Sequence, residues 1–120
     1  MKELGHGSII NLGSIAWRRG GAEYPAYATA KAGILGLTHA LARAFGADNI
    51  RVNSIEPGAV LTPRQRKLWF PTEASIDTIL QRQLLKQILL GDDIARTALF
   101  LASDDSRMIT CQSLTVDGGR

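Results

Sequence analysis

Apolar positions along the first half of the chain follow two different periods. GSIINLGSI (7–15) is a short β-branched run with no polar side, the pattern of a strand buried on both faces of a parallel sheet. From 25 to 46 the spacing becomes helical, with Ile34, Leu37, Leu41 and Phe45 on one stripe. Pro25 suits the first turn of that helix and Gly46 its end. Its many alanines and glycines permit close approach by a neighbour, although Gly33 and Gly36 each cost about 1 kcal/mol of helix propensity. IRVNSIEPG (50–58) is a second strand pattern, stopped by Pro57-Gly58. Strand, helix and strand joined by short links form a parallel crossover unit.

Downstream, residues 59–72 read as a loop with a short helical piece. Residues 73–90 read as a helix and 92–106 as another, with Asp92 or Asp93 favourable at its start. SLTVDGG (113–119) reads as a third strand ending in glycines. The predicted architecture is α/β: about three parallel strands with flanking helices and a lid, in a single domain spanning 1–120. No repeat, low-complexity tract or linker divides it.

Composition narrows the classes. With 120 residues, 45% hydrophobic and 21% charged, the chain can bury a core and is not of a disordered type. The net charge of +3 invites a nucleic-acid reading. The arginines are scattered and do not interleave with aromatics, which argues against it. Cys111 is the only cysteine, and His6 and His39 are the only histidines, so neither an internal disulfide nor a zinc site is expected. No apolar run reaches the length that spans a bilayer, and no secretory leader is read at the start; a cytoplasmic setting is expected. Cys111 reads as a small buried hydrophobe, His39 as a surface or interface residue, and Asp104 and Asp105 as a solvated helix end.

The chemistry gathers at YPAYATAK (24–31). Tyr27 and Lys31 are four apart and share one helical face. A cation and a helix start both favour a phenolate, so such a tyrosine can serve as general base on an alcohol. By itself a Tyr-x-x-x-Lys pair is common, and its plain reading is a solvated helix face. Ser14, thirteen residues before Tyr27, and Pro57-Gly58 fall at the carboxyl ends of predicted strands, where ligands sit in open α/β sheets. Three parts then converge on one rim. Removing an alcohol proton is useful only with a hydride acceptor.

On NLGS with Ser14, YATAK with Tyr27 and Lys31, RVNSIEPG followed by Thr62, DIARTALFLASDDS and the closing LTVDGG, the chain resembles the C-terminal half of a short-chain dehydrogenase/reductase. The resemblance covers essentially the whole chain. It implies half of a doubly wound Rossmann-like parallel sheet and NAD or NADP as cofactor. It makes Ser14 the substrate-orienting serine, Tyr27 the acid/base, and Lys31 the residue that tunes the tyrosine and binds the nicotinamide ribose. It makes Pro57, Gly58, Val60 and Thr62 the segment along the nicotinamide. It also implies a small-molecule substrate, neither nucleic acid nor membrane as partner, and a homo-oligomer formed through the helix at 25–46.

NLGSIAW, PGAVLTPRQRKLW and LFLASDDSRMITCQSLTVDGG are similar to the aldose 1-dehydrogenase branch, whose members oxidise a cyclic sugar to its lactone. Ala59 stands where that branch often has tryptophan, and Pro63 where it often has glutamate. Trp17, Arg64, Gln65 and Trp69 are the candidate sugar-pocket residues; the plain reading of both tryptophans is packing. The resemblance places the glycine-rich dinucleotide turn, the residue that selects NAD or NADP and the family's asparagine upstream of residue 1. The expectation is a truncated form, inactive by itself. The alternatives are a 3-oxoacyl or other carbonyl reductase of the same family, and a non-catalytic binding or oligomerisation module.

Overall fold

The computed structural model describes residues 1–20 and 22–120. Its three strands are β1 (Gly7–Leu12), β2 (Ile50–Pro57) and β3 (Ser113–Val116), parallel and in the order β1-β2-β3. The register pairs Ile9 with Val52 and Leu12 with Ile55, then Ile55 with Leu114. β2 is central, and Val52 through Glu56 are all buried. Its polar members are satisfied: Asn53 donates to the Ile109 carbonyl (2.9 Å) and accepts from the Gln112 N–H (3.0 Å), and the Ser54 and Ser113 hydroxyls share a bond of 2.8 Å. β1 pairs with β2 alone among the described residues.

Helices cover both faces. α1 (Ala16–Arg19) is a single turn, and α2 (Pro25–Phe45) is the long helix. Ala42 of α2 packs with Ile50 and Val52, with Ile9, Leu41 and Phe45 around them. Asn11 bonds the buried Thr38 hydroxyl on α2 (3.0 Å). Ser8, on the opposite face of β1, donates to the Leu101 carbonyl (2.8 Å) of α5 (Gly91–Ala102). Between them lie α3 (Pro63–Leu68) and α4 (Glu73–Arg82). Among the described residues, no helix is long and apolar enough to cross a membrane.

Several boundaries differ from the sequence reading. β1 stops at Leu12, because Ile15 turns inward and is buried ahead of α1. α2 does not reverse at Gly46, which keeps a right-handed conformation; a 3-10 turn follows, and Asn49 takes the left-handed one (φ 55°). The helix expected over 73–90 ends at Arg82. Its last carbonyls are capped by the Lys86 ammonium, which bonds the Leu80 and Gln81 oxygens (3.0 and 3.1 Å). The chain beyond docks on the glycines after β3 instead, through Leu84 and Leu85 N–H bonds to the Gly118 carbonyl (3.0 and 2.9 Å). The helix expected over 92–106 breaks at Ser103 into α5 and a 3-10 turn, with Asp93 accepting from the Leu90 N–H (2.8 Å) at its start. His39 is exposed, and Cys111 is half-buried against the α2 face of the core.

Candidate active site

A cleft of about 700 Å³ opens at the carboxyl ends of β1 and β2. Three segments meet there. Gly13 and Ser14 leave β1, Tyr24 and Tyr27 stand at the start of α2, and Pro57 to Thr62 leave β2. The lid helix α3 closes one side with Gln65, followed by Trp69 and Phe70. The Ser14 hydroxyl accepts the Ala16 N–H (3.1 Å), which fixes its oxygen at the strand end. Thr62 caps α3 by accepting the Gln65 N–H (3.2 Å). The Leu61 N–H donates to the Leu89 carbonyl (2.8 Å) and ties the lid root to the body.

Tyr27 lines the cleft and is 48% exposed. Its ring meets Tyr24 edge-on, with centroids 6.1 Å apart and planes at 84°. The Lys31 ammonium lies 5.8 Å from the Tyr27 ring centroid and donates to the Leu12 carbonyl (2.9 Å). That bond pins the end of β1 to α2 and holds one positive charge beside the ring. Four residues on a helix bring Tyr27 and Lys31 together; the parallel β1–β2 register brings Ser14 and Pro57 beside them.

Gly58 is dictated by packing. A β-carbon there would stand 2.7 Å from the Asp117 β-carbon and 2.8 Å from its α-carbon. The exits of β2 and β3 therefore touch directly. Gly58→Ala is expected to lower stability by about 2 kcal/mol, because the contact is backbone that cannot rotate away; urea unfolding measures it.

Of the residues singled out in the sequence, Ser14, Tyr27, Pro57, Gly58, Val60, Thr62, Gln65 and Trp69 line the cleft. Lys31 stands behind Tyr27. Trp17 and Arg64 are not among the lining residues. The indole N–H of Trp17, on α1, instead donates to a Glu56 carboxylate oxygen (2.8 Å). Arg64 points into solvent from α3. The lining residues that escaped the sequence reading include Arg19, Tyr24, Phe70 and Arg120. Tyr24 carried a local signal, three residues before Tyr27. Arg120 carried none, because only the sheet brings the chain's last residue to this rim.

The surroundings fit a nicotinamide ring on the β2 side, where Pro57 and Val60 give apolar contact.

A family model described as enoyl-(acyl carrier protein) reductase matches residues 1–120. The chain is 53% identical over 119 residues to the probable galactose dehydrogenase GalD of Rhizobium meliloti, covering 99% of this chain and 46% of that protein. It is 44% identical over 119 residues to D-xylose 1-dehydrogenase of Caulobacter vibrioides, covering 99% and 47%. Among solved structures, 7α-hydroxysteroid dehydrogenase complexed with NADH and 7-oxo glycochenodeoxycholic acid superposes with a TM-score of 0.92 at 34% identity, covering 99% of this chain and 46% of that one. The chain thus spans about half the length of the relatives it matches. By sequence, by superposition and by a strand-end rim carrying Ser14, Tyr27 and Lys31, it belongs to the short-chain dehydrogenase/reductase family, on the side of its sugar dehydrogenases.

Proposed function

We propose that the whole protein is an NAD(P)-dependent oxidoreductase that oxidises an aldose at its anomeric carbon to the lactone. One observation carries this reading: Ser14 and Tyr27 open into a single cleft at the strand ends, with Lys31 behind the tyrosine. Ser14 offers a hydroxyl to the substrate oxygen. Tyr27 takes the proton of the anomeric hydroxyl. Lys31, anchored on the Leu12 carbonyl, keeps a positive charge where charge on the tyrosine ring has to be balanced. Pro57, Gly58, Val60 and Thr62 would hold the nicotinamide, which supplies the two-electron acceptor when bound. Trp69, 60% exposed at the mouth, gives an apolar face on which a pyranose can stack, and Gln65 offers polar contacts. The sugar names of the relatives support the choice of aldose over other alcohols. The outward face of α2, where Leu37 is 46% exposed, is the proposed self-association surface.

The test is a substrate panel on the whole protein with NAD and with NADP, spanning pentoses, hexoses, secondary alcohols and acyl thioesters. Saturable, cofactor-dependent oxidation of an aldose with lactone as product is the expected outcome. Turnover of 3-oxoacyl thioesters with none of the sugars would replace the proposal by a carbonyl reductase.

A further inference from the structure

The cleft carries a charge that a neutral aldose leaves unused. Among the described residues lining it, Arg19 and Arg120 are cationic and none is acidic. Neither belongs to an ion pair among the described residues; those pairs join Lys2 to Asp48, Arg18 to Glu56 and Arg66 to Glu73. The Arg120 Nε is buried and has no acceptor among the described residues. Burial first, then the like charges of Arg19 and Arg82, hold the Arg120 guanidinium below its ordinary value; Tyr24 and Asp117 act in the opposite sense. Asp117 makes no ion pair with Arg120, and one of its oxygens is taken by the Gly119 N–H (2.8 Å).

A buried donor without an acceptor is costly, and two guanidinium groups facing one cleft repel each other. A single ligand relieves both: an anion with oxygens to spare, which a guanidinium grips through parallel N–H···O bonds. We infer that Arg19 and Arg120 hold a carboxylate or phosphate carried by the substrate at the end remote from the hydroxyl presented to Tyr27. The assignment of that anion to a substrate rests on the proposed oxidation; the anion site itself rests on the two arginines and the unpartnered Nε.

D-galactose, D-galacturonate and D-galactose 6-phosphate share one ring and differ in charge at one end. Titrated calorimetrically into the whole protein, with and without saturating cofactor, one of the two anionic sugars should bind on the order of tenfold or more tightly than galactose. Its identity separates carboxylate from phosphate. Arg120→Gln should remove most of that preference. So should Arg19→Gln, an exposed position whose change leaves the fold intact, which circular dichroism verifies. Equal affinity for all three sugars overturns the inference. So does a preference indifferent to both substitutions, or one that disappears when cofactor is bound, since the arginines would then serve the cofactor's phosphates. Arginine-dependent anion binding without any sugar oxidation upholds the site and removes the proposed reaction. Oxidation of galactose with no anionic preference does the reverse.

Discussion

Tyr27→Phe in the whole protein is expected to lower kcat on the order of a thousandfold while KM moves little. The substitution deletes one oxygen from a ring that is 48% exposed and makes an edge contact with Tyr24. Little packing is lost, so the fold should unfold at an unchanged urea concentration. What is lost is the phenol oxygen beside the Lys31 ammonium. Ser14 does not replace it, because an aliphatic hydroxyl ionises far less readily than a phenol and the Lys31 ammonium stands beside the Tyr27 ring. A Phe variant retaining more than about a tenth of kcat would take Tyr27 out of the proton transfer, and the same loss of rate with a lowered unfolding midpoint would make it a structural residue.

The second large effect lies below the cleft. Arg18→Met is expected to destabilise the protein by about 3 kcal/mol, read from urea unfolding. Glu56 is completely buried at the end of β2, and its carboxylate is met by the Arg18 guanidinium and the Trp17 indole N–H. Arg18 also donates to the Thr115 hydroxyl on β3 (3.2 Å) and lies 5.2 Å from the Trp17 ring centroid. Removing the cation leaves a carboxylate with no exit to water. The figure is at the low end for a broken buried pair because Arg18 is itself 45% exposed. Arg18→Lys should recover only part of the loss, since an ammonium is a point charge and cannot reproduce the guanidinium fork between Glu56 and Thr115. A change below about 0.5 kcal/mol in the Met variant would show that the pair contributes nothing net. The clamp also has a local consequence: α1 carries Arg19, so the same contact sets one wall of the cleft. Gly13 belongs to it too, because a β-carbon there would stand 3.2 Å from the Glu56 Cγ.

How the sequence compares with the fold is clearest element by element. The strand at 50–57 was legible because it is central and apolar on both faces, and Pro57-Gly58 marks its end. The helix at 25–45 was legible because twenty-one residues of helical spacing leave little alternative. The stretch 73–90 has helical spacing throughout, yet the helix ends at Arg82, and what ends it is distant. Gln83 turns inward to bond the Leu85 and Gln87 carbonyls (3.0 and 2.9 Å), and Leu84 pairs with the glycines after β3. A pattern of apolar positions carries no information about a partner thirty-four residues away.

The site divides the same way. Tyr27 and Lys31 are one helical turn apart, so sequence alone determined that they share a face. Sequence also placed Ser14 close to one strand end, although β1 stops at Leu12, and Pro57-Gly58 at another, because a strand's apolar run and a terminating glycine or proline are local facts. Only the tertiary structure decided that Trp17 turns down to Glu56 and away from the cleft, that Asp117 leaves Gly58 no room for a side chain, and that Arg19 and Arg120 face the same opening. Those outcomes depend on which strand ends lie side by side, and parallel pairing across long crossovers sets that through packing of the whole sheet rather than through any short stretch of chain.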